Sequence, residues 1–206
     1  PRRYRLGYVD RVATERATAP EHWRFGTVVH RGLEAGYRHH QEVGRTPNLR
    51  HTIPTAVAAA REAWVEEAMP DDAPARARAE RVVAASLATA RVAPRAILGV
   101  ERWFRATTDD GLVVAGATDL VLRAPDATVE IWDHKVTRYV RSPERLHGDL
   151  QLGVYAWLVR RTWPWADRIV GAHHYPLTRD VVRIEVDDEW MRTAMRRLTS
   201  TALRAL

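Results

Sequence analysis

The spacing of apolar residues changes abruptly near residue 95, and that change limits which architectures the chain can adopt. Before it, apolar and small side chains recur three and four positions apart, the period that gives a helix one buried stripe. Phe25, Val28, Val29, Gly32 and Leu33 mark such a stripe between about Pro20 and Gln41, which places His30 and Glu34 on one helix face. Pro54 opens a second helix that runs to about Met69, because proline suits a first helical turn. Asp71-Asp72-Ala73-Pro74 supplies a cap and first turn for a third helix, rich in alanine and arginine, that ends near Arg91.

Beyond Ala96 the pattern is that of strands. Ile97, Val100, Trp103 and Phe104 precede an Asp109-Asp110-Gly111 turn into Leu112-Val113-Val114, which predicts a hairpin. A second turn at Pro125-Asp126 joins the strand through Asp119 to another from Thr128 to Lys135, completing a three-stranded meander. Helix resumes from about Glu144 to Arg161, with Leu150, Val154, Trp157 and Leu158 on its apolar side. Strands at about 168–175 and 181–186 and a terminal helix from Asp188 follow. The expected class is α/β in the α+β sense: a sheet of about five strands flanked by helices. A helical part covers about residues 1–95 and a sheet-containing core about 96–206, and the 206 residues fit one domain. The chain opens on proline, so we read it as a piece of a longer protein.

Two compositional facts narrow the chemistry. The chain has no cysteine, which removes disulfides, thiolate metal sites and cysteine nucleophiles; any metal must sit on oxygen or imidazole. Its formal charge of +6 is carried almost wholly by arginine, whose forked guanidinium suits phosphate. No apolar run approaches the roughly 20 residues needed to cross a bilayer, and the first residues do not form a signal peptide, so a cytoplasmic setting is expected. The G-x-x-x-x-G-K-[ST] motif of a P-loop ATPase is absent.

The strand Val129-Glu130-Ile131-Trp132-Asp133-His134-Lys135 concentrates the chemistry. Alternation puts Val129, Ile131, Asp133 and Lys135 on one face, so two charged groups follow two core residues inward. Such burial costs several kcal/mol per unpaired ion unless a metal, counter-charge or substrate compensates. The neighbouring strand carries Asp119 after Gly116, Ala117 and Thr118, small residues that let backbone or substrate come close. Two strand carboxylates beside a lysine make a plausible Mg²⁺ site. A bare D-x-K is more often an ordinary ion pair. Here, however, Lys135 is the only lysine among 32 basic side chains. A sequence that uses arginine everywhere else keeps here a compact ammonium that can shift its pKa.

Taken together, Arg2-Arg3-Tyr4-Arg5-Leu6, Phe25 to Glu34, Val100-Glu101, Gly116 to Val121, Ile131 to Lys135 and Gln151-Leu152-Gly153-Val154-Tyr155 occur in an order that resembles the PD-(D/E)XK nucleases, specifically the RecB-type exonuclease branch. The resemblance implies a restriction-endonuclease-like core with a central mixed sheet. It implies that His30, Asp119 and Asp133 ligate a metal, joined by the main-chain carbonyl of His134, and that Lys135 is catalytic. Glu101 matches an acidic position that would bind a second metal or a metal-bound water. Gln151 and Tyr155 match a signature that helps hold Lys135 and the substrate phosphate, with Glu34 in support. An oxygen-rich site with one imidazole favours Mg²⁺ or Mn²⁺ over zinc. The family often carries four cysteines around an iron–sulphur cluster; none is present in this sequence, through truncation or through loss.

Other residues carry weaker signals. Arg138, Arg141 and Arg145 sit where a phosphate track would be useful, or form a solvated basic loop. Trp23 and Trp132 could stack on an unpaired base. His39-His40 and His173-His174 are assigned no role. The expected activity is metal-dependent hydrolysis of DNA, exonuclease-like, in a helicase–nuclease or DNA repair and recombination system whose motor lies elsewhere. The competing readings are an idle nuclease fold that binds DNA or a helicase partner, and a hydrolase of small phosphate esters.

Overall fold

The structure, a computed structural model, describes residues 19–203; the Arg2–Leu6 segment lies outside them. Three helices come first: α1 (Glu21–Val43), α2 (Ile53–Glu66) and α3 (Ala73–Thr89). Asp72 caps α3 by accepting the amide of Ala75, with proline in the first turn, as the sequence indicates. Gly32 and Gly36 let α1 lie close to its neighbours: a Cβ at Gly36 would meet Leu87 Cδ1 at 2.6 Å.

Five strands form one mixed sheet in the order β1-β2-β3-β4-β5. Strands β1 (Ile97–Thr107), β2 (Val113–Arg123) and β3 (Val129–His134) form the expected antiparallel meander. Strand β4 (Ile169–Tyr175) then pairs parallel with β3, and β5 (Asp180–Glu185) antiparallel with β4. A parallel pair needs a crossover, supplied by α4 (Pro143–Leu146) and α5 (Leu150–Thr162). The terminal helix is α6 (Asp188–Leu203).

The helix expected from Glu144 to Arg161 is therefore two helices. Gly148 takes a left-handed φ of +79°, and Asp149 turns its carboxylate onto the amides of Gln151 and Leu152. Asp149 thus starts a new helix instead of continuing the old one.

Helices α1 to α3 pack on one face of the sheet around Leu33, Val83, Leu87, Val100, Leu120 and Trp132. On the other face, α5 and α6 bury Val121, Ile131, Leu152, Ile169, Trp190 and Met191. Covered on both faces, β3 has no solvated side, which overrides the in-and-out alternation read from its sequence. Trp132 is consequently buried, with its indole nitrogen donating to Glu130 and Arg183 over its ring; it is not free to stack on a base. Among the described residues no helix is long and apolar enough to cross a membrane.

Candidate active site

Helix α1 lies against β1, and its His30 meets carboxylates from within β1 and β2. One ligand atom from each of His30, Glu101 and Asp119 falls within 4.8 Å of the others. His30 Nδ1 is 3.7 Å from Asp119 Oδ2, and His30 Nε2 is 2.9 Å from the carbonyl oxygen of His134. The same residue's backbone works in both directions, because the His134 amide donates to Asp119 Oδ2 at 2.5 Å. Glu101 and Asp119 face each other across adjacent strands, flanked by the pairs Val100–Leu120 and Arg102–Thr118. Glu101 occupies this position with a left-handed φ of +46°, a strained backbone for a non-glycine residue in a strand.

These acids repel one another in a half-buried place. Burial, then Asp119 and Glu34, push the Glu101 carboxyl up to about 7. Asp119 is also raised, chiefly by burial, against the opposing pull of His30 and the His134 amide. Glu34 forms the outer wall, its carboxylate 2.9 Å from Arg38 and 3.5 Å from Arg31.

Asp133, His134 and Lys135 carry the second half of the site. Lys135 follows the last residue of β3 and is anchored through its amide to the carbonyl of His174. Its Nζ lies 2.5 Å from Asp133 Oδ2 and donates to Gln151 Oε1 at 2.9 Å. Gln151 Nε2 in turn donates to the Tyr155 hydroxyl at 3.0 Å. The Lys135–Asp133 contact is close but poorly directed, so Asp133 Oδ2 is a buried oxygen without a well-placed donor. Burial raises the Asp133 carboxyl, with Lys135 pulling the other way. Burial likewise holds the Tyr155 hydroxyl up to about 12, so it stays protonated. Gly116 is small because Tyr155 comes close: a Cβ there would lie 3.0 Å from the ring.

A cleft of about 620 Å³ opens onto this arrangement, with Trp23, Gly26, Thr27 and Thr137 as further lining. Its donors are one imidazole, several carboxylate oxygens and a carbonyl, which is a hard set suited to Mg²⁺ or Mn²⁺. The clustered acids and the orphaned Asp133 oxygen fit a cation. The basic loop is less uniform than its sequence: Arg141 pairs with Asp149 at 3.2 Å and Arg145 lies against Tyr139, whereas Arg138 has no ion pair among the described residues.

The paired histidines of β4 are the residues that sequence reasoning left without a role. The parallel register sets His173 beside Asp133 and His174 beside His134. His173 Nε2 approaches Asp133 Oδ2 to 3.6 Å. His174 bridges Ser86 Oγ and His134 Nδ1, each at 3.0 Å. Burial pushes both His134 and His174 well below the usual imidazole range, so this chain is neutral and structural. Only the register of a parallel pair could have exposed these contacts.

Comparison with known proteins agrees with this architecture. The sequence matches the PD-(D/E)XK nuclease superfamily over residues 1–204, and the chain belongs to that superfamily. Its five-stranded mixed sheet flanked by helices is the restriction-endonuclease-like fold. Among solved structures it is similar to a protein described as a "putative exonuclease" from Eubacterium rectale, at 12% identity and TM-score 0.48, covering 93% of this chain and 84% of that one. The protein SSO0001 is similar at 17% identity and TM-score 0.32 over 49% of each chain, so this chain spans about half its length. No curated protein matches the sequence.

Proposed function

We propose that this chain is a divalent-metal-dependent deoxyribonuclease, exonuclease-like, that hydrolyses phosphodiester bonds in DNA. The observation that carries the reading is the meeting of His30, Glu101 and Asp119 in a cleft that Lys135 also lines, with Asp133 and Gln151 engaging the Lys135 ammonium from behind. His30, Asp119 and Asp133 would hold Mg²⁺ or Mn²⁺ with the His134 carbonyl, and Glu101 would hold a second ion or its water. The ion, when bound, supplies Lewis acidity toward the phosphoryl oxygen and lowers the pKa of water.

The protein's own groups do the rest. Gln151, steadied by Tyr155, fixes the Lys135 ammonium at the mouth of Asp133, where it offsets negative charge developing on the phosphoryl group. Glu101, near neutrality in its protonation, can take up the proton released from attacking water. The His134 peptide holds His30 and Asp119 in register, so neither has to be ordered when substrate arrives. Trp23 at the cleft wall would meet a base, and Arg138 beyond Lys135 a phosphate. The basic surplus favours a polymer over a small phosphate ester. A helicase motor would be supplied outside this chain, in cytoplasmic DNA repair or recombination.

Cleavage of end-labelled single- and double-stranded DNA, with Mg²⁺, with Mn²⁺ and in EDTA, tests this reading. Metal-dependent cleavage by the parent is expected. A purified, folded chain that cuts neither substrate in either metal would leave DNA or partner binding as its function.

A further inference from the structure

The eight tryptophans of the chain are not equivalent. Arg183 lies over Trp132, Arg161 over Trp157, Arg102 over Trp163 and Arg123 over Trp165. Trp190 packs against His147, and buried Trp64 donates its indole N–H to the carbonyl of Pro70. Trp103 differs: it is 73% exposed, and no ring or guanidinium among the described residues stacks on it. A single exposed apolar side chain is ordinary on a protein surface, but a large, unstacked indole two residues from Glu101 calls for a further reason.

Its place on the sheet supplies one. In the outer part of the hairpin Phe104, Val114 and Gly116 face the α5 side, so Trp103, Arg105, Ala115 and Ala117 face the other, the side of α1. Glu101, at the left-handed kink where alternation breaks, opens with Asp119 into the cleft lined by α1; the next pairs outward are Trp103 with Ala117 and Arg105 with Ala115. Trp103 therefore stands one pleat, about 7 Å, from the metal-facing carboxylate of the same strand. Across from it Ala117 and Ala115 rise only a methyl above the sheet, leaving a shelf beside the indole. Beyond the carboxylate pair this face carries a cation, Arg105, and no acid. An aromatic plate, a neighbouring guanidinium and a clear shelf leading to a phosphodiester-cleaving centre fit a nucleotide strand better than a protein surface.

We propose that the open face of the β1–β2 hairpin is a nucleotide-binding subsite, in which Trp103 stacks on an unpaired base and Arg105 meets its phosphate. This inference rests on the nuclease reading of the adjoining cleft and adds a preference for single strands or frayed ends. Bases within a duplex already cover their faces, so the indole gains a partner only where pairing is broken.

The test is fluorescence anisotropy of a fluorescein-labelled oligothymidylate about 15 nucleotides long, in EDTA so that no strand is cut. Trp103→Ala is expected to weaken binding at least fivefold, the low end of about 5- to 150-fold for one lost base stack. Trp103→Phe keeps an aromatic face and should stay within about threefold of the parent. Trp165→Ala, on an indole already covered by Arg123, should bind as the parent does. Because Trp103 is exposed, its alanine variant should melt near the parent's temperature, and its loss should be smaller on a blunt duplex. Unchanged oligonucleotide affinity in Trp103→Ala, or an equal loss on blunt duplex, overturns the subsite. If the parent binds and Trp103→Ala weakens it but no metal supports cleavage, the subsite stands and the nuclease reading fails. If cleavage is present and Trp103→Ala binds normally, the reverse holds. A parent that binds no single strand overturns the subsite and leaves the nuclease reading to the cleavage assay.

Discussion

The two sides of the cleft treat buried charge in opposite ways. Within β1 and β2, Glu101 and Asp119 face each other with one imidazole beside them, and burial, helped by neighbouring carboxylates, raises both carboxyls. At the ends of β3 and β4, Asp133 has Lys135 at 2.5 Å and His173 at 3.6 Å, and burial keeps His134 and His174 neutral. One side is left short of positive charge; the other is compensated largely from within. The difference separates two tasks. A cation is wanted where the protein supplies none, and a fixed ammonium stands where the reacting phosphate would need one.

The largest expected effects come from removing either carboxylate. Asp119→Ala and Asp133→Ala should each abolish metal-dependent cleavage while leaving the fold intact. They should differ in a second measurement, the rise in melting temperature on adding Mn²⁺. That rise should vanish in Asp119→Ala, which dismantles the charge-deficient side, and persist in reduced form in Asp133→Ala. Near-normal cleavage by either variant would break the assignment.

Next in size is Lys135. Lys135→Arg and Lys135→Ala should both lose on the order of a hundredfold or more in single-turnover cleavage rate, the scale of a misplaced group. A guanidinium preserves charge but is planar, larger and never deprotonated, so it cannot replace the ammonium between Asp133 and Gln151. An arginine variant within a few-fold of the parent would reduce Lys135 to an ion pair.

A smaller effect lies in the pH dependence of metal-free stability. The Glu101 carboxyl titrates at about 7 in the folded chain against 4.5 in the unfolded one, so folding favours its protonated form. Its contribution is fully present below about pH 4.5 and is lost as pH rises through about 7. Buried His134 and His174 work oppositely: their lowered values give stability that is present above about 6.5 and lost as pH falls. The net profile of the parent mixes the two, so the informative quantity is the difference between parent and Glu101→Gln. In EDTA the glutamine variant should gain melting temperature relative to the parent as pH goes from 5 to 8, by roughly a few degrees. A constant difference would mean that Glu101 carries its charge without penalty.

The smallest expected effect is in binding. Arg138→Ala should lower the log–log salt slope of single-strand binding by about 0.7, the value for one phosphate. Arg141→Ala should do less, because Asp149 already engages its guanidinium. Equal slopes for both variants would show that this intramolecular pair yields to substrate.

Much of this contrast was legible in the sequence. The change of apolar period located the helical layer and the meander. The solitary lysine two residues from Asp133 singled out the end of β3 where Lys135, Asp133 and Gln151 meet in the structure. The break before Asp149 was missed because its apolar positions keep helical spacing on both sides, while a glycine and a capping carboxylate end one helix and start the next. The roles of His173 and His174 were hidden for a different reason. Periodicity along one strand says nothing about its neighbour, and only the parallel register of β3 and β4 sets these imidazoles against Asp133 and His134. Likewise, alternation predicts an open side for Trp132, and only coverage of both sheet faces removes it.

The bond from His30 to the His134 carbonyl spans 104 positions of chain. Long-range contacts of this kind form late, because ordering so large a loop must precede any reward. A chain whose sheet has formed but whose first helix is undocked would hold Asp119, Asp133 and Lys135 and still lack the imidazole. Its donor set would be incomplete, and its hydrolytic capacity with it. Docking of α1 thus serves as an internal checkpoint: the cluster of His30, Glu101 and Asp119 is complete only when the first helix and the sheet have found each other.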